Sequence, residues 1–452
     1  MVSAATLLKK FANVNNSIID SWEFVEDSSS ITTLKVHLHP YKSHSCRCPK
    51  CSQKCKIYDS RSTDRCWRAV DCGGIIVELY YSIKRVYCPE HGVITESVPW
   101  AFPDSRFTKD FDMIATFLAM NINKSVASEY MRCDWHTIIR CISRAREYLE
   151  PNIKNRYNNL INIGIDETSY RKGHNYLTVV VNQDTNTVVW CAPGHSKEVL
   201  SKFFKELTQE QRDSIKTVSG DGARWIDACV NEYIPNATRC IDPFHVVSWA
   251  NESVDKVRKE SWREAHKTVV ELSEDLKRKR GRPKKDDKES TKLNKAEEVA
   301  KEIKTSLYTL GKNPENLTEN QLNKLELIAK SNPRLFRAYL LKERLRLLLK
   351  LKDPKEVEAE LKKFHWLATH SRISVFKELA YKIRRHLKHI LNTIKYQLNS
   401  AKVESINNKI KLFIRKGYGF RNIQNLMDII LLGCSNIEIP LPNRGNKGMR
   451  VA

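Results

Sequence analysis

The sequence contains no apolar run that approaches the roughly 20 residues required for a membrane-spanning helix. Its opening segment, MVSAATLLKK, lacks the basic start and the long apolar stretch of a secretory signal. No internal repeat with a period of roughly 20–50 residues is visible either. The first two absences predict a soluble, intracellular chain that does not associate with membranes and whose cysteines are reduced.

Acidic residues are scarce relative to basic ones, because 53 Asp and Glu stand against 77 Lys and Arg, a formal net charge of +24. The positive charge is spread along the chain and predicts a polyanionic partner, most simply nucleic acid. A generic basic protein from an AT-rich genome would carry a similar charge, and charge alone leaves that alternative open. The 452 residues suggest about two to four folded domains.

The cysteines are unevenly distributed, since seven of the 13 lie between residues 46 and 88. In a reduced chain such a cluster indicates a metal site. The segments CPKC and CPEH each provide two ligands at the spacing found in tetrahedral zinc sites. We therefore predict a structural Zn²⁺ site formed by Cys48, Cys51, Cys88 and His91. Four other cysteines of this region remain competing ligands: Cys46, Cys55, Cys66 and Cys72.

Strand-like and helical patterns alternate along the chain and divide it into five expected segments. They are a zinc-binding β-rich module (1–100), a helix-turn-helix DNA-binding domain (101–154), the first part of a mixed α/β core (155–260), a helical insertion with a basic linker (261–395), and the final helix of the core with a C-terminal tail (396–452). In the first module, the run at 75–87 is expected to form a strand that follows a turn at Gly73 and Gly74.

Two short helices joined by a few residues are expected between 125 and 150, capped by Ser125 and Asp134. In a helix-turn-helix, base contacts come from the early turns of the second helix. The candidate DNA-binding residues there are Trp135, His136, Thr137 and Arg140. A helical linker that packs between domains is the alternative interpretation.

A second candidate DNA contact lies in the basic segment KRKRGRPKK. Its Arg280-Gly281-Arg282-Pro283 core matches the AT-hook, in which Arg side chains enter a narrow A·T minor groove. A solvated basic linker is the alternative interpretation, because a match of four residues is short.

Acidic residues follow two short apolar strands of the expected core. In INIGID, the isoleucines at 161, 163 and 165 share one face, which places Asp166 on the other face at the end of the strand. In TVSGDGA, Asp221 also follows an apolar strand. Two such carboxylates side by side would repel each other unless a cation lies between them. Glu167 is an alternative to Asp166, but its side chain should point to the opposite face.

Asp242 offers a contrast, because the sequence Asp-Pro in IDPFHVV is typical of a helix N-cap and first helical residue. We therefore prefer Asp221 to Asp242 as a metal ligand.

A third acid comes from a late helix, VESINNKIKLFIRKG, whose Val403, Ile406, Ile410 and Phe413 form an apolar stripe. The neighbouring polar face carries Glu404, Asn408, Lys411 and Arg415. Glu404 could complete a carboxylate site for Mg²⁺ or Mn²⁺, while the two basic residues face a phosphate backbone. Three carboxylates suit the two-metal chemistry of nucleases and polynucleotidyl transferases. Acids at strand ends often only cap a neighbouring element or are exposed to solvent. Residue spacing alone leaves this alternative open.

Four segments, in order, resemble the catalytic core of the ISL-three family of bacterial insertion-sequence transposases: GIDETSYRKGHNYLTVV, SGDGA, DPFHVV and VESINNKIKLFIRKGYGFRN. The resemblance implies a multidomain α+β protein. Its parts would be a zinc-ribbon-like N-terminal module, a helix-turn-helix, and an RNase H-like mixed α/β catalytic core interrupted by a long helical insertion.

Carried over by motif, the three acids of the DDE site are Asp166, Asp221 and Glu404. The resemblance implies a transposase that binds double-stranded DNA at terminal inverted repeats and uses Mg²⁺ or Mn²⁺ for strand cleavage and transfer. It would act as a homodimer on DNA, in the bacterial cytoplasm at the nucleoid. A DNA-binding regulator in which the acids only cap strands, or a metal-dependent nuclease of the same fold, are the alternatives.

Overall fold

The computed structural model describes residues 3–26, 28, 30–60, 63–171, 173, 175–278, 288–396 and 401–442. Arg280 and Arg282 of the expected AT-hook lie outside the described residues. Across the described ranges, no helix combines the length and the apolar character needed to cross a membrane.

The N-terminal region consists of one helix and seven strands: α1 (Ala4–Phe11), β1 (Ser17–Glu26), β2 (Thr32–Pro40), β3 (Lys56–Ser60), β4 (Arg65–Arg68), β5 (Ile76–Tyr81), β6 (Lys84–Cys88) and β7 (Gly92–Thr95). They form a four-stranded sheet in the order β1-β2-β5-β4 and a three-stranded sheet in the order β3-β6-β7. The expected strand at 75–87 is therefore two strands in two sheets. The chain leaves the first sheet at Ser82 and Ile83, where Ile83 turns into the apolar core of the larger sheet.

Three helices follow: α2 (Lys109–Asn121), α3 (Lys124–Tyr130) and α4 (Trp135–Lys154). Asp134 caps α4 as expected, because its Oδ2 accepts the backbone N–H of His136 at 2.8 Å. The cap predicted for the preceding helix is wrong. Asn123 holds that position and accepts the N–H of Val126, so Ser125 lies inside the first turn. Asn and Ser are comparable N-caps, and the short connection after α2 selects the earlier one.

The central sheet has five strands: β8 (Asn162–Arg171), β9 (Asn175–Asn182), β10 (Thr187–Pro193), β11 (Thr217–Gly220) and β12 (Thr238–Ile241). Their order is β10-β9-β8-β11-β12. Strand β9 pairs antiparallel with both β8 and β10, whereas β8, β11 and β12 run parallel to one another. Three helices lie between these strands: α5 (Lys197–Glu206), α6 (Gln209–Ser214) and α7 (Arg224–Tyr233). The order predicted from the sequence is confirmed, with α6 as an additional short helix.

The described residues after β12 are mostly helical: α8 (Pro243–Arg278), α9 (Lys288–Thr305), α10 (Leu307–Gly311), α11 (Glu319–Ser331), α12 (Pro333–Leu348), α13 (Pro354–Thr369), α14 (Ser374–Arg385), α15 (Leu387–Tyr396), α16 (Ala401–Lys416) and α17 (Ile423–Gly433). Helix α8 runs without a break through the expected boundary between residues 260 and 261. Helices α8–α15 share one apolar core with Ile241 of β12, so the helical insertion packs on the parallel edge of the sheet.

The two faces of the central sheet pack on different helices. Ile163 and Ile165 of β8 lie in a core with α5 and α7. Val179 and Val181 of β9 lie in the core on the other face, where α16, α17 and the α2–α4 region pack. The second face therefore brings the late helix α16 and the expected DNA-binding helices onto one side of the sheet.

Candidate active site

Asp166 lies on the sheet face that α16 covers. It pairs with Val179 of β9, whose side chain belongs to the core on that face, whereas Ile165 pairs with Val180 in the opposite core. The predicted alternation is confirmed. Asp166 is not at the end of its strand, however, because β8 continues to Arg171 through its pairing with β9. Asp166 therefore lies in mid-strand, where its side chain is only 20% exposed.

Asp221 immediately follows β11, the strand next to β8. Ser219 of β11 pairs with Gly164 of β8 in the parallel register, which brings Asp221, two residues later, close enough to Asp166 for its charge to raise the pKa of Asp166. Residues that lie side by side on parallel strands project from the same face. The two predicted acids are therefore brought together at one edge of the parallel strands.

The backbone of Asp221 is held by contacts that sequence reasoning missed. The guanidinium of Arg239, which is only 6% exposed, donates to the Asp221 carbonyl and, through Nε, to Asp227 at 2.9 Å. The Asp221 carboxylate accepts the N–H of Ala223 at 2.9 Å. Arg239 is one basic residue among 77, and nothing in its local sequence marks it as the support of this loop.

Burial raises the pKa of Asp166, and the neighbouring Asp221 carboxylate acts in the same direction. The Glu167 N–H, His245 and Asn407 oppose this rise. Burial also raises the pKa of Glu167, with Asp221 as the next contribution. Carboxylates crowded and partly buried in this way are less stable as anions than free ones, and a bound cation would relieve the repulsion. The local electrostatics therefore fit a divalent cation.

Two further side chains meet Asp166. Asn407 of α16 donates to its Oδ2 and accepts from the hydroxyl of Thr168 at 2.6 Å. Nε2 of His245, in the first turn of α8, lies 4.0 Å from its Oδ1. Neither residue was among the predicted site residues. Asn407 follows Glu404 by three positions, so helical spacing to the predicted acid was the available signal.

Helix α16 lies directly on β8, and its predicted apolar stripe is buried, from Val403 at 7% exposed to Ile410 at 0%. A Cβ atom added at Gly164 would lie 2.8 Å from Cγ2 of Val403. Glu404 is exposed on the same helix, one turn before Asn407. The contacts on either side of it therefore fix the backbone that carries Glu404 next to the strand that carries Asp166.

The contact between Gly164 and Val403 gives a direct test of how closely α16 docks. Gly164→Ala is expected to lower the free energy of unfolding by about 1–3 kcal/mol, because a methyl group overpacks the interface. Val403→Ala removes the nearest clashing atom, so the loss in the double variant should be smaller than the sum of the two single losses. Urea unfolding of the two single variants and the double variant measures this coupling. Strictly additive losses would contradict the close docking of α16.

Asp242 is the N-cap of α8, as its sequence predicted. Its Oδ1 accepts the N–H of Phe244 at 2.8 Å, and its carbonyl accepts the N–H of His245. The N-cap interpretation is thus confirmed, and the cap fixes the start of α8, where His245 approaches Asp166.

The predicted cysteine and histidine ligands come together at the three-stranded sheet. One ligand atom from each of Cys48, Cys51, Cys88 and His91 lies within 4.8 Å of the others. Sγ of Cys88 lies 3.6 Å from Sγ of Cys51 and 3.5 Å from Nδ1 of His91. The His91 contact lowers the pKa of Cys88 to about 6, which favours the thiolate that binds metal. This Cys₃His set fits a tetrahedral ion.

The competing cysteines occupy different positions. Burial raises the pKa of Cys55, and its next contribution is a contact with Cys88, so its sulfur lies beside the cluster. Cys46 is buried, and its N–H donates to Glu96. Cys66 lies on β4 and Cys72 is exposed.

The candidate DNA-contacting side chains of α4 lie at its open end. Trp135 is 45% exposed, His136 and Arg140 are also exposed, and Thr137 is half-buried. The opposite side of α4 is buried through Ile138. Lys411 and Arg415 of α16 are exposed as well. All of these side chains except Thr137 are largely accessible to a large ligand.

Comparisons with known proteins show the family of the chain. A transposase family model, ISL3 of the DDE type, matches residues 163–430. The transposase for insertion sequence element IS1557 of Mycobacterium tuberculosis is 39% identical over 431 residues, 95% of each chain. The transposase for insertion sequence element IS1001 of Bordetella parapertussis is 25% identical over 409 residues, 89% of this chain and 92% of that relative. The chain therefore belongs to the ISL3 family of DDE insertion-sequence transposases.

Proposed function

We propose that this transposase binds the terminal inverted repeats of a bacterial insertion sequence and catalyses strand cleavage and strand transfer with Asp166, Asp221 and Glu404. The observation that carries the proposal is the adjacency of Asp166 and Asp221 on parallel strands, with the Glu404 helix docked beside them. The sheet order β10-β9-β8-β11-β12, with Asp166 on β8 and Asp221 directly after the neighbouring strand β11, supports an RNase H-like core.

The three carboxylates would hold two Mg²⁺ or Mn²⁺ ions, which activate the attacking oxygen and stabilise the leaving oxygen of a phosphodiester. The chain contributes the positions of the carboxylates. Arg239 fixes the Asp221 backbone, and Asn407 orients the Asp166 carboxylate. These contacts hold the ligands before DNA arrives, so little rearrangement is needed on binding.

Two displacements at phosphorus account for cleavage and transfer. Water attacks the phosphodiester at an element end, and the bond that breaks leaves a free 3′-OH on the element. That hydroxyl then attacks a phosphodiester of the target and joins the element to it, with a target 3′-OH as the leaving group. Neither step needs a covalent bond to protein, so no serine or tyrosine nucleophile is assigned.

DNA recognition is assigned to the helix-turn-helix of α3 and α4. Phosphate contacts supply affinity and base contacts supply specificity, and the exposed side chains at the start of α4 are placed for the second task. Lys411 and Arg415 extend the basic surface along α16. Arg280 and Arg282 remain a sequence-based prediction. Both element ends are joined in one event, so the active species on DNA is a homodimer in the bacterial cytoplasm.

The Cys₃His cluster is proposed to bind a structural Zn²⁺. Cys51→Ser is expected to remove one equivalent of zinc per chain and to weaken binding to the element ends by more than about a hundredfold, because small zinc modules fold with their metal. Elemental analysis and gel-shift titration measure both effects. Cys72→Ser, an exposed cysteine outside the cluster, is the matched control. Unchanged zinc content in Cys51→Ser would exclude this ligand set.

A joining assay tests the proposed function against the alternatives. The full-length chain is incubated with labelled element-end DNA, a target plasmid and Mg²⁺. We expect cleavage at the element end and covalent joining of its 3′-OH to the target, both lost with EDTA. Cleavage without joining would indicate a nuclease, and tight end binding without cleavage would indicate a regulator.

A further inference from the structure

A second cluster of potential metal-ligating side chains lies between α7 and the helical insertion. One carboxylate oxygen of Asp227 and one nitrogen from each of His386 and His389 lie within 4.8 Å of one another. Asp227 belongs to α7 of the sheet domain. The two histidines lie at the junction of α14 and α15 in the helical insertion. The cluster therefore joins parts of the chain that are distant in sequence.

Each of the two histidines carries a buried Nδ1 atom within the described part of the chain. His386 is only 4% exposed and His389 is half-buried. Within the described part of the chain, their Nδ1 atoms are buried and have no hydrogen-bond partner. Unpaired buried polar atoms are rare in folded proteins and call for a physical explanation. Burial lowers the pKa of both histidines, although Asp227 opposes this, and so favours the neutral imidazole that binds metal.

The carboxylate of this cluster is already oriented. Nε of Arg239 donates to Oδ1 of Asp227 at 2.9 Å. Metal-binding carboxylates are commonly held by such a second contact. The positive charge of Arg239 is partly offset, because its guanidinium also donates to the carbonyl oxygens of Val218, Cys240 and Asp221.

We propose that Asp227, His386 and His389 form a Zn²⁺ site that fastens α7 to the helical insertion. Two imidazoles and one carboxylate are a donor set typical of zinc and unlike the all-oxygen sets of Mg²⁺. Ligand atoms about 2.0–2.2 Å from one tetrahedral ion lie about 3.3–3.6 Å apart. The separations of at most 4.8 Å therefore need only small side-chain rotations. The fourth position would be taken by water.

The position of the site gives it a structural consequence for the Asp221 loop. A Cβ atom added at Gly222 would lie 3.3 Å from Nε2 of His386 and 2.8 Å from the ring of Trp249. The residue after Asp221 is thus packed against the proposed ligand. A metal ion bound there would fix the insertion against the loop that carries the carboxylate. The site does not depend on the function proposed for Asp221.

Zinc stoichiometry of the full-length chain tests the proposal. The protein is equilibrated with Zn²⁺ and excess Mg²⁺, which competes at carboxylate sites, then dialysed and analysed for zinc. We expect two equivalents in the wild type, one in His389→Gln and two in His370→Gln, an exposed control histidine. Circular dichroism confirms that the variants are folded. Equal zinc content in His389→Gln and the wild type would overturn the proposal.

Cobalt substitution separates the two sites and does not rely on a single variant. Co²⁺ bound by thiolates gives an intense charge-transfer band, whereas Co²⁺ bound by imidazole and carboxylate gives only the weaker visible bands. Subtracting the Co²⁺ spectrum of His389→Gln from that of the wild type should therefore leave visible bands without a thiolate band. A difference spectrum with no visible bands would contradict the site, as would one that contains the thiolate band.

Discussion

Replacement of Asp166 by asparagine is expected to lower the rate of strand cleavage at the element end by at least about a thousandfold. Asparagine keeps the size of the side chain but removes the charge that is proposed to hold a divalent cation beside Asp221. A metal ion contributes several kcal/mol to stabilising such a transition state, and each 1.4 kcal/mol is about tenfold in rate. Single-turnover cleavage of labelled end DNA in Mg²⁺ measures the loss.

End binding should be unchanged in Asp166→Asn, because the proposed DNA contacts lie on α4 and α16. The matched control is Asp213→Asn, an exposed acid on α6 away from the site, which should cleave at the wild-type rate. A cleavage rate in Asp166→Asn within a few-fold of the wild-type rate would exclude this residue from the site. Glu167 would then be the alternative, because the Asp221 charge also raises its pKa.

The second large effect concerns stability. Arg239→Met is expected to lower the free energy of unfolding of the metal-free protein by about 1–3 kcal/mol, because Asp227, whose side chain is 25% exposed, loses its charged partner. The carbonyl oxygens of Val218, Cys240 and Asp221 would lose a donor as well. Chemical denaturation measures the loss, and cleavage should fall with it because the Asp221 loop is released.

Arg334→Met provides the comparison for Arg239. Arg334 pairs with Glu260 at 2.6 Å, but its side chain is 36% exposed. Solvent-exposed ion pairs contribute about 0–1 kcal/mol, so its loss should be small. Similar losses for the two arginines would mean that Arg239 does not support the loop as the structure indicates.

The sequence was informative where local pattern decides structure. The alternation of isoleucines in β8 identified the face that carries Asp166, and the spacing of Val403 and Ile410 identified the buried face of α16. Matched cysteine and histidine spacing identified the Cys₃His cluster. In each case a local pattern predicts the structure: alternation along a strand, spacing along a helix, or spacing between metal ligands.

Tertiary contacts decided the rest. The sequence did not show that β8 continues to Arg171, because its pairing with β9 extends it beyond the apolar residues. It did not show that Asn407 and His245 approach Asp166, since both contacts depend on how helices dock on the sheet. The grouping of Asp227 with His386 and His389 likewise depends on packing between α7 and the distant insertion.

The most direct test of the central claim is excision from a donor plasmid that carries the two element ends, comparing the wild type with Glu404→Gln. Glu438→Gln, an exposed acid in the same C-terminal region, is the control. We expect excision by the wild type and the control and none by Glu404→Gln, with end binding preserved in all three. Equal excision by Glu404→Gln and the wild type would contradict the assignment of Glu404, Asp166 and Asp221 as one metal-binding site.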